Sequence, residues 1–142
     1  MADTAQAELD ALADDFDALD DWEDRYRHLI DLGKALEPLT DAERSDANKV
    51  RGCASQVWLV SARDGDRLRL RGDSDAHIVR GLVAVVLRLA SGKRAADLAA
   101  FPFEAAIERL GLKGALSAQR ANGLASMVAR IRTDAGEAQP TP

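Results

Sequence analysis

Hydrophobic residues recur along this chain first at helical spacing, then at strand spacing, then at helical spacing again. Leu9, Leu12, Phe16 and Leu19 return every three or four residues behind Thr4, which predicts an acidic amphipathic helix over residues 4–19 with Thr4 as N-cap. A second helix is expected after Asp20 or Asp21, carrying Trp22, Tyr26, Leu29, Ile30 and Leu36 on its inner side and ending between Gly33 and Pro38. The segment "LTDAERSDAN" offers Thr40 and Asp41 as caps but little to bury, so it reads as one helical turn and a loop. The period then drops to two. In "SQVWLVSA" Val57, Leu59 and Ser61 share one face and Trp58 and Val60 the other, while in "RLRLRG" Leu68 and Leu70 alternate with Arg67, Arg69 and Arg71. With Asp64-Gly65 between these runs, an antiparallel hairpin with one wet face is predicted. The run "NKVR" is a candidate third strand, which would set Cys53 at the bend between two strands.

Helical spacing returns in "GDSDAHIVRGLVAVVLRLASG", where Ile78, Val79, Leu82, Val83, Val85, Val86 and Leu89 make a wide apolar face. Asp73 or Ser74 is expected to cap this central helix and Ser91-Gly92 to stop it. Gly81 inside it costs about 1 kcal/mol relative to Ala, and its stripe with Ala84 suits the close approach of another helix. A shorter helix is expected over Glu104 to Leu110 after Pro102. A last one, capped by Ser117, shows Leu124, Met127, Val128 and Ile131 at helical spacing. Residues 135–142 read as a disordered tail. The pattern predicts an α+β fold, a small antiparallel sheet of about three strands packed against several helices, in one domain spanning 1–142.

Composition narrows the function. The 142 residues are 46% hydrophobic and 30% charged, within the range of globular proteins, with a formal net charge of -5. No apolar run approaches membrane-spanning length, and the acidic start lacks the basic residues of a signal or transit peptide, so a cytoplasmic protein is expected. Without a basic tract, nucleic acid is not an expected partner. A single cysteine cannot form an internal disulfide, and with only His28 and His77 beside it no tetrahedral zinc pattern exists.

That cysteine, Cys53, sits in "NKVRGCASQVW". A lone cysteine is more often a small buried hydrophobe than a reactive group. Here Gly52, Ala54 and Ser55 leave little bulk beside the sulfur, and Lys49 and Arg51 share its parity if the strand is extended. Nearby cations favour thiolate over thiol. The chemistry points to a nucleophilic thiol. A Cys-dependent hydrolase or transferase using Cys53 and His77 would need the imidazole within hydrogen-bond reach of sulfur, whereas a non-catalytic interaction module needs no chemistry at all. Arg120, three residues after Ser117, puts a cation in a first helical turn, where it opposes the helix dipole at roughly 0.3–1 kcal/mol. Asp75, an acid in the first turn of the central helix, is favourable by itself, so capping is its leading reading.

The stretches "NKVRGCASQVWLV", "GDSDAHIVRGL" and "LSAQRANGLASM" resemble the SufE family, sulfur-accepting partners of cysteine desulfurases in iron–sulfur cluster assembly. The resemblance runs from about Trp22 to Arg132. It implies a fold akin to the IscU-type scaffold proteins and assigns Cys53 as sulfur acceptor, with Arg51, Gly52, Ala54, Ser55, Asp75 and Arg120 around it as partner-binding residues. It implies a pyridoxal-phosphate-dependent desulfurase of the SufS or CsdA type as donor, which the carrier stimulates, and a SufBCD-type scaffold complex downstream. No cofactor or metal is needed by the carrier itself, since transfer is thiol exchange. Whether two copies form a weak homodimer stays open. Because a persulfide must be shielded at rest yet enter a partner, the Cys53 segment is expected to have two states.

Overall fold

The computed structural model describes residues 4–51, 56–112 and 118–138. Helix α1 (Ala5–Asp17) starts at Thr4, whose hydroxyl accepts from the Ala7 amide at 3.1 Å, and buries Leu9, Leu12, Ala13 and Phe16. Helix α2 (Trp22–Lys34) starts at Asp21, whose carboxylate accepts from the Glu23 amide at 3.0 Å. Strands β1 (Val57–Asp64) and β2 (Arg67–Ser74) follow, then helix α3 (His77–Ala90), strand β3 (Lys93–Arg94) and helices α4 (Ala95–Ala100), α5 (Phe103–Arg109) and α6 (Ala118–Ala138). The α+β architecture read from the periodicity is the one observed. Between α2 and β1, Thr40 and Glu43 close a reciprocal cap: the Glu43 amide donates to Thr40 Oγ1 and the Thr40 amide to Glu43 Oε1, both at 3.1 Å.

The sheet has the antiparallel order β1-β2-β3. Pairing runs from Val57↔Ser74 to Asp64↔Arg67, so the hairpin loop is Gly65–Asp66, one residue later than the Asp64-Gly65 pair suggested. Gly65 takes φ +63°, which glycine adopts without steric cost. The two-residue β3 pairs with β2 at Arg67 and Leu68, and is too short for alternation to betray it. The "NKVR" run contributes a single bridge, Lys49↔Trp58, on the opposite side of β1.

Val57, Leu59, Leu68 and Leu70 line the inner face of the hairpin and are buried. Gly72 shares that face, and a Cβ there would lie 3.2 Å from Val83 Cγ1 and 3.3 Å from Leu87 Cδ1, which seats α3 directly on the strand. Residues 81–87 of α3 are buried on every side, by the sheet, by α1 and α2, and by α6. An all-round apolar helix is what that position requires.

At the crossing of α2 and α3 two glycines meet. A Cβ on Gly33 would stand 2.7 Å from the Gly81 nitrogen, and one on Gly81 would overlap the Leu29 carbonyl. Farther along, Leu32, Ala35 and Leu36 line a groove of about 330 Å³ with Ala84, Leu87 and Arg88. Later residues of α2 thus face later residues of α3, and the two helices run in parallel.

Three expectations are corrected. Trp22 and Tyr26 are 37% and 36% exposed, not inward. They lie on the same helical stripe as Leu29, but α2 reaches Gly81 only at Leu29. Trp22, about 10 Å earlier at 1.5 Å per residue, lies beyond the point where Leu29 meets Gly81 and extends past the start of α3. Asp73 and Ser74 do not begin α3; they end β2, both buried, and α3 starts at Ala76 with no side-chain cap. The ladder with β1 holds residues 73 and 74 extended, which removes them from the helix. Finally, α6 continues through Ala138 and buries Ala135, where a tail was expected from residue 135. The small apolar contact of one alanine is invisible in a polar stretch.

Candidate functional site

Cys53, with Gly52, Ala54 and Ser55, lies outside the described residues; what the structure gives is the frame that holds both ends of that segment. On the entry side the Val50 amide donates to the Val57 carbonyl and the Leu59 amide to the Asn48 carbonyl, each at 2.8 Å. The chain therefore leaves the sheet and returns to it at one point on the outer edge of β1. Val50 turns into the core, while Lys49 is half-buried and Arg51 exposed. Asn48 is tied down as well, its Nδ2 donating to the Glu43 carbonyl at 2.9 Å.

The exit side is held by Asp75. Its Oδ1 accepts from the Gln56 amide at 3.0 Å, and its own amide donates to the Gln56 carbonyl at 3.3 Å. These two bonds extend the β1–β2 ladder one pair beyond Val57↔Ser74. The capping reading of Asp75 is thereby replaced: the carboxylate is engaged by Gln56, the first described residue after the cysteine segment. A hydrogen bond with one charged partner is worth more than a neutral one, so the exit is firmly set.

Behind Asp75 sits a buried carboxylate. Asp73 Oδ2 lies 3.0 Å from the Arg44 guanidinium and Oδ1 lies 2.8 Å from Arg80 Nε, while the Ser74 amide donates to Oδ1 at 2.8 Å. Arg44 comes from the turn after Thr40, Asp73 from β2 and Arg80 from α3. A buried charge so placed is costly to leave unpaired, and three elements converge to neutralise it. Next to it, Arg71 clasps Glu43 through both terminal guanidinium nitrogens, with Nη1 to Oε1 at 3.0 Å. That contact holds the Glu43 carboxyl below its ordinary value, and raises Arg71 in turn.

Helix α6 braces the frame from outside. Arg130 donates to the Ala47 carbonyl at 3.3 Å and pairs with Asp134 at 3.4 Å; Asp134 accepts from the Ser61 hydroxyl. One helix thus grips both the entry segment and β1. Arg120 is half-buried in the first turn of the same helix and is engaged there; Ser117, its expected cap, lies outside the described residues. His77 is exposed at the start of α3. Asp75, which could have oriented its imidazole, is bonded to Gln56 instead. His28 is half-buried and meets Phe16 edge-on at 5.0 Å, away from this frame.

Of the residues singled out from the sequence, the structure brings Asp75 to the exit and Arg51 to the entry. Sequence reasoning missed Gln56, the Arg44–Asp73–Arg80 cluster and the Arg130–Asp134 pair. Arg80 did carry a signal, a charge within the most apolar helix, and such a breach usually marks a paired group. Among the described residues no three His, Cys, Asp or Glu side chains gather in a way that could hold a metal ion.

An α+β domain with this arrangement has a solved counterpart, the solution structure of a hypothetical protein from Thermus thermophilus. It superposes with a TM-score of 0.76 at 17% identity over 92% of this chain and 95% of that one. That likeness defines the fold class. The chain belongs to the SufE family, described as an Fe–S metabolism associated domain, which matches residues 10–135. Relatives include uncharacterised SufE-like proteins of Rhizobium etli, 56% identical over 91% of this chain and 90% of that protein, and Rhizobium meliloti, 52% identical over 89% and 94%. The sulfur acceptor protein CsdE of Escherichia coli is 42% identical over 81% of this chain and 79% of its own.

Proposed function

We propose that this protein is a sulfur acceptor and carrier, not itself an enzyme, that takes persulfide sulfur onto Cys53 from a pyridoxal-phosphate-dependent cysteine desulfurase of the SufS or CsdA type in the cytoplasm. The thiolate of Cys53 attacks the outer sulfur of the donor's persulfide. A new S–S bond forms to Cys53, the donor's S–S bond breaks, and the electron pair leaves with the donor cysteine as its thiolate. The transferred sulfur keeps its proton, so no outside oxidant or reductant is consumed. Accepting sulfur clears the donor for another turnover, which is how the carrier stimulates it. The cargo then passes to an Fe–S scaffold complex of the SufBCD type.

The observation that carries this reading is the frame around the lone cysteine in a SufE-family chain, with Val50 bonded to Val57 on one side and Gln56 doubly bonded to Asp75 on the other. A segment anchored at both ends can present a thiol to a partner without disturbing the core. Arg51, Asp75 and Arg120 are the proposed partner contacts of the described residues, joined by Gly52, Ala54 and Ser55, the small residues that neighbour Cys53 in sequence. The test is intact mass under non-reducing conditions after incubation with desulfurase, pyridoxal phosphate and cysteine. One added sulfur atom is expected on the native chain and none on C53S. Desulfurase turnover with no mass change on the native chain overturns the reading.

A further inference from the structure

Trp22 and Tyr26 are the large hydrophobic side chains that stand exposed among the described residues. They are four apart on α2, so both rings lie on one stripe. Leu29 meets Gly81, and α2 runs parallel to α3, so the first two turns of α2 reach toward the His77 end of α3. That is the end at which Asp75 holds Gln56. The pair therefore stands at the same end of the molecule as the cysteine frame.

Acids outnumber cations around the rings. Asp20, Asp21, Glu23 and Asp24 are all exposed there. Two cations stand among them: Arg25 Nε donates to the Leu19 carbonyl at 2.8 Å, and Arg27 lies 3.4 Å from Glu23 and 3.6 Å from Asp24. Two aromatic faces ringed by carboxylates suit a surface bearing arginine or lysine around an apolar spot, since such cations stack on ring faces and pair with the acids. A second copy of this chain would bring acid against acid.

We infer that Trp22 and Tyr26 anchor the sulfur donor on this carrier, receiving a basic-rimmed apolar patch of the desulfurase. The inference rests on the carrier reading, because transfer requires the donor to cover the surface around Cys53 while two sulfurs come within bonding distance. Aromatic residues are the side chains that most often dominate such interfaces, and their truncation is felt mainly in affinity.

The experiment compares native chain, W22A/Y26A and E23K/D24K as carriers for one desulfurase, reading the carrier concentration that half-saturates Cys53 loading. W22A/Y26A is expected to raise that concentration about tenfold or more, with the saturating rate unchanged and loading by a small-molecule persulfide unchanged. E23K/D24K should raise it at low salt, with the difference shrinking as salt screens the charges. Equal half-saturation for native and W22A/Y26A overturns the anchor while leaving the carrier reading intact, as does tighter self-association of the native chain through the same residues. If W22A/Y26A melts early, E23K/D24K decides alone, and no salt-dependent change refutes the inference. No sulfur on the native chain under any condition overturns the carrier reading and the anchor with it.

Discussion

Replacing Gly81 by Ala tests how α2 is seated on α3. The new methyl group would overlap the Leu29 carbonyl oxygen and stand 2.8 Å from both the carbonyl carbon and Cγ of Leu29. Carbon atoms in favourable contact are about 3.5–4.0 Å apart, so the helices must separate by about 1 Å. Backbone lies on both sides of the gap, since Gly33 faces the Gly81 nitrogen at 2.7 Å from its own Cβ position, and backbone cannot rotate out of the way. Overpacking of this kind costs about 1–3 kcal/mol, and the upper end applies here. The better helix propensity of Ala returns about 1 kcal/mol, leaving a net loss of about 2 kcal/mol. For a domain of this size that lowers the melting midpoint by about 6–8 °C. Gly136, in α6 with nothing beyond its own stretch of helix within 4 Å of its Cβ position, is the matched control. There the same substitution gains propensity without a clash and should raise the midpoint by up to about 3 °C. Thermal melts by circular dichroism, with urea titrations to check that the m-value is constant, measure both. A G81A protein that melts at or above the native chain would refute the idea that the two glycines set the crossing.

Two further outcomes follow from the frame. D75A removes the acceptor for the Gln56 amide, and the exchange of that amide with solvent should quicken about tenfold, as loss of roughly 1.4 kcal/mol implies, while amides in α3 keep their protection; an unchanged Gln56 rate would deny Asp75 its clamping role. Glu43 is held below its ordinary value of 4.5 by Arg71, so its charged form is favoured in the folded state. The stability it contributes is present above pH 4.5 and is lost as pH falls through the lowered value, so E43Q should flatten the acid limb of a urea-midpoint profile and R71Q should flatten it likewise. A native and an E43Q profile that stay parallel below pH 4.5 would show that the pair does not couple to folding.

The hydrophobic period alone determined much of this molecule. Leu9, Leu12 and Phe16 marked α1, the alternation of Val57, Leu59, Leu68 and Leu70 marked the hairpin, and the run from Ile78 to Leu89 marked the central helix, because each element must bury one face and the spacing records which face that is. The lone cysteine between "NKVR" and "SQVWLV" was equally legible, as was the family it points to. What the sequence could not decide is where each element overhangs its neighbour. Trp22 and Tyr26 carry the same helical phase as Leu29, yet only the seating of α2 on Gly81 exposes them. Asp75 and Asp73 read as helix caps by position, but β2 continues through Ser74, and pairing with Gln56, Arg44 and Arg80 claims both carboxylates. Local spacing fixes which way a side chain points from its own backbone; whether it meets solvent, a helix or an opposite charge is set by residues far away in the chain, brought together only when the sheet and helices pack.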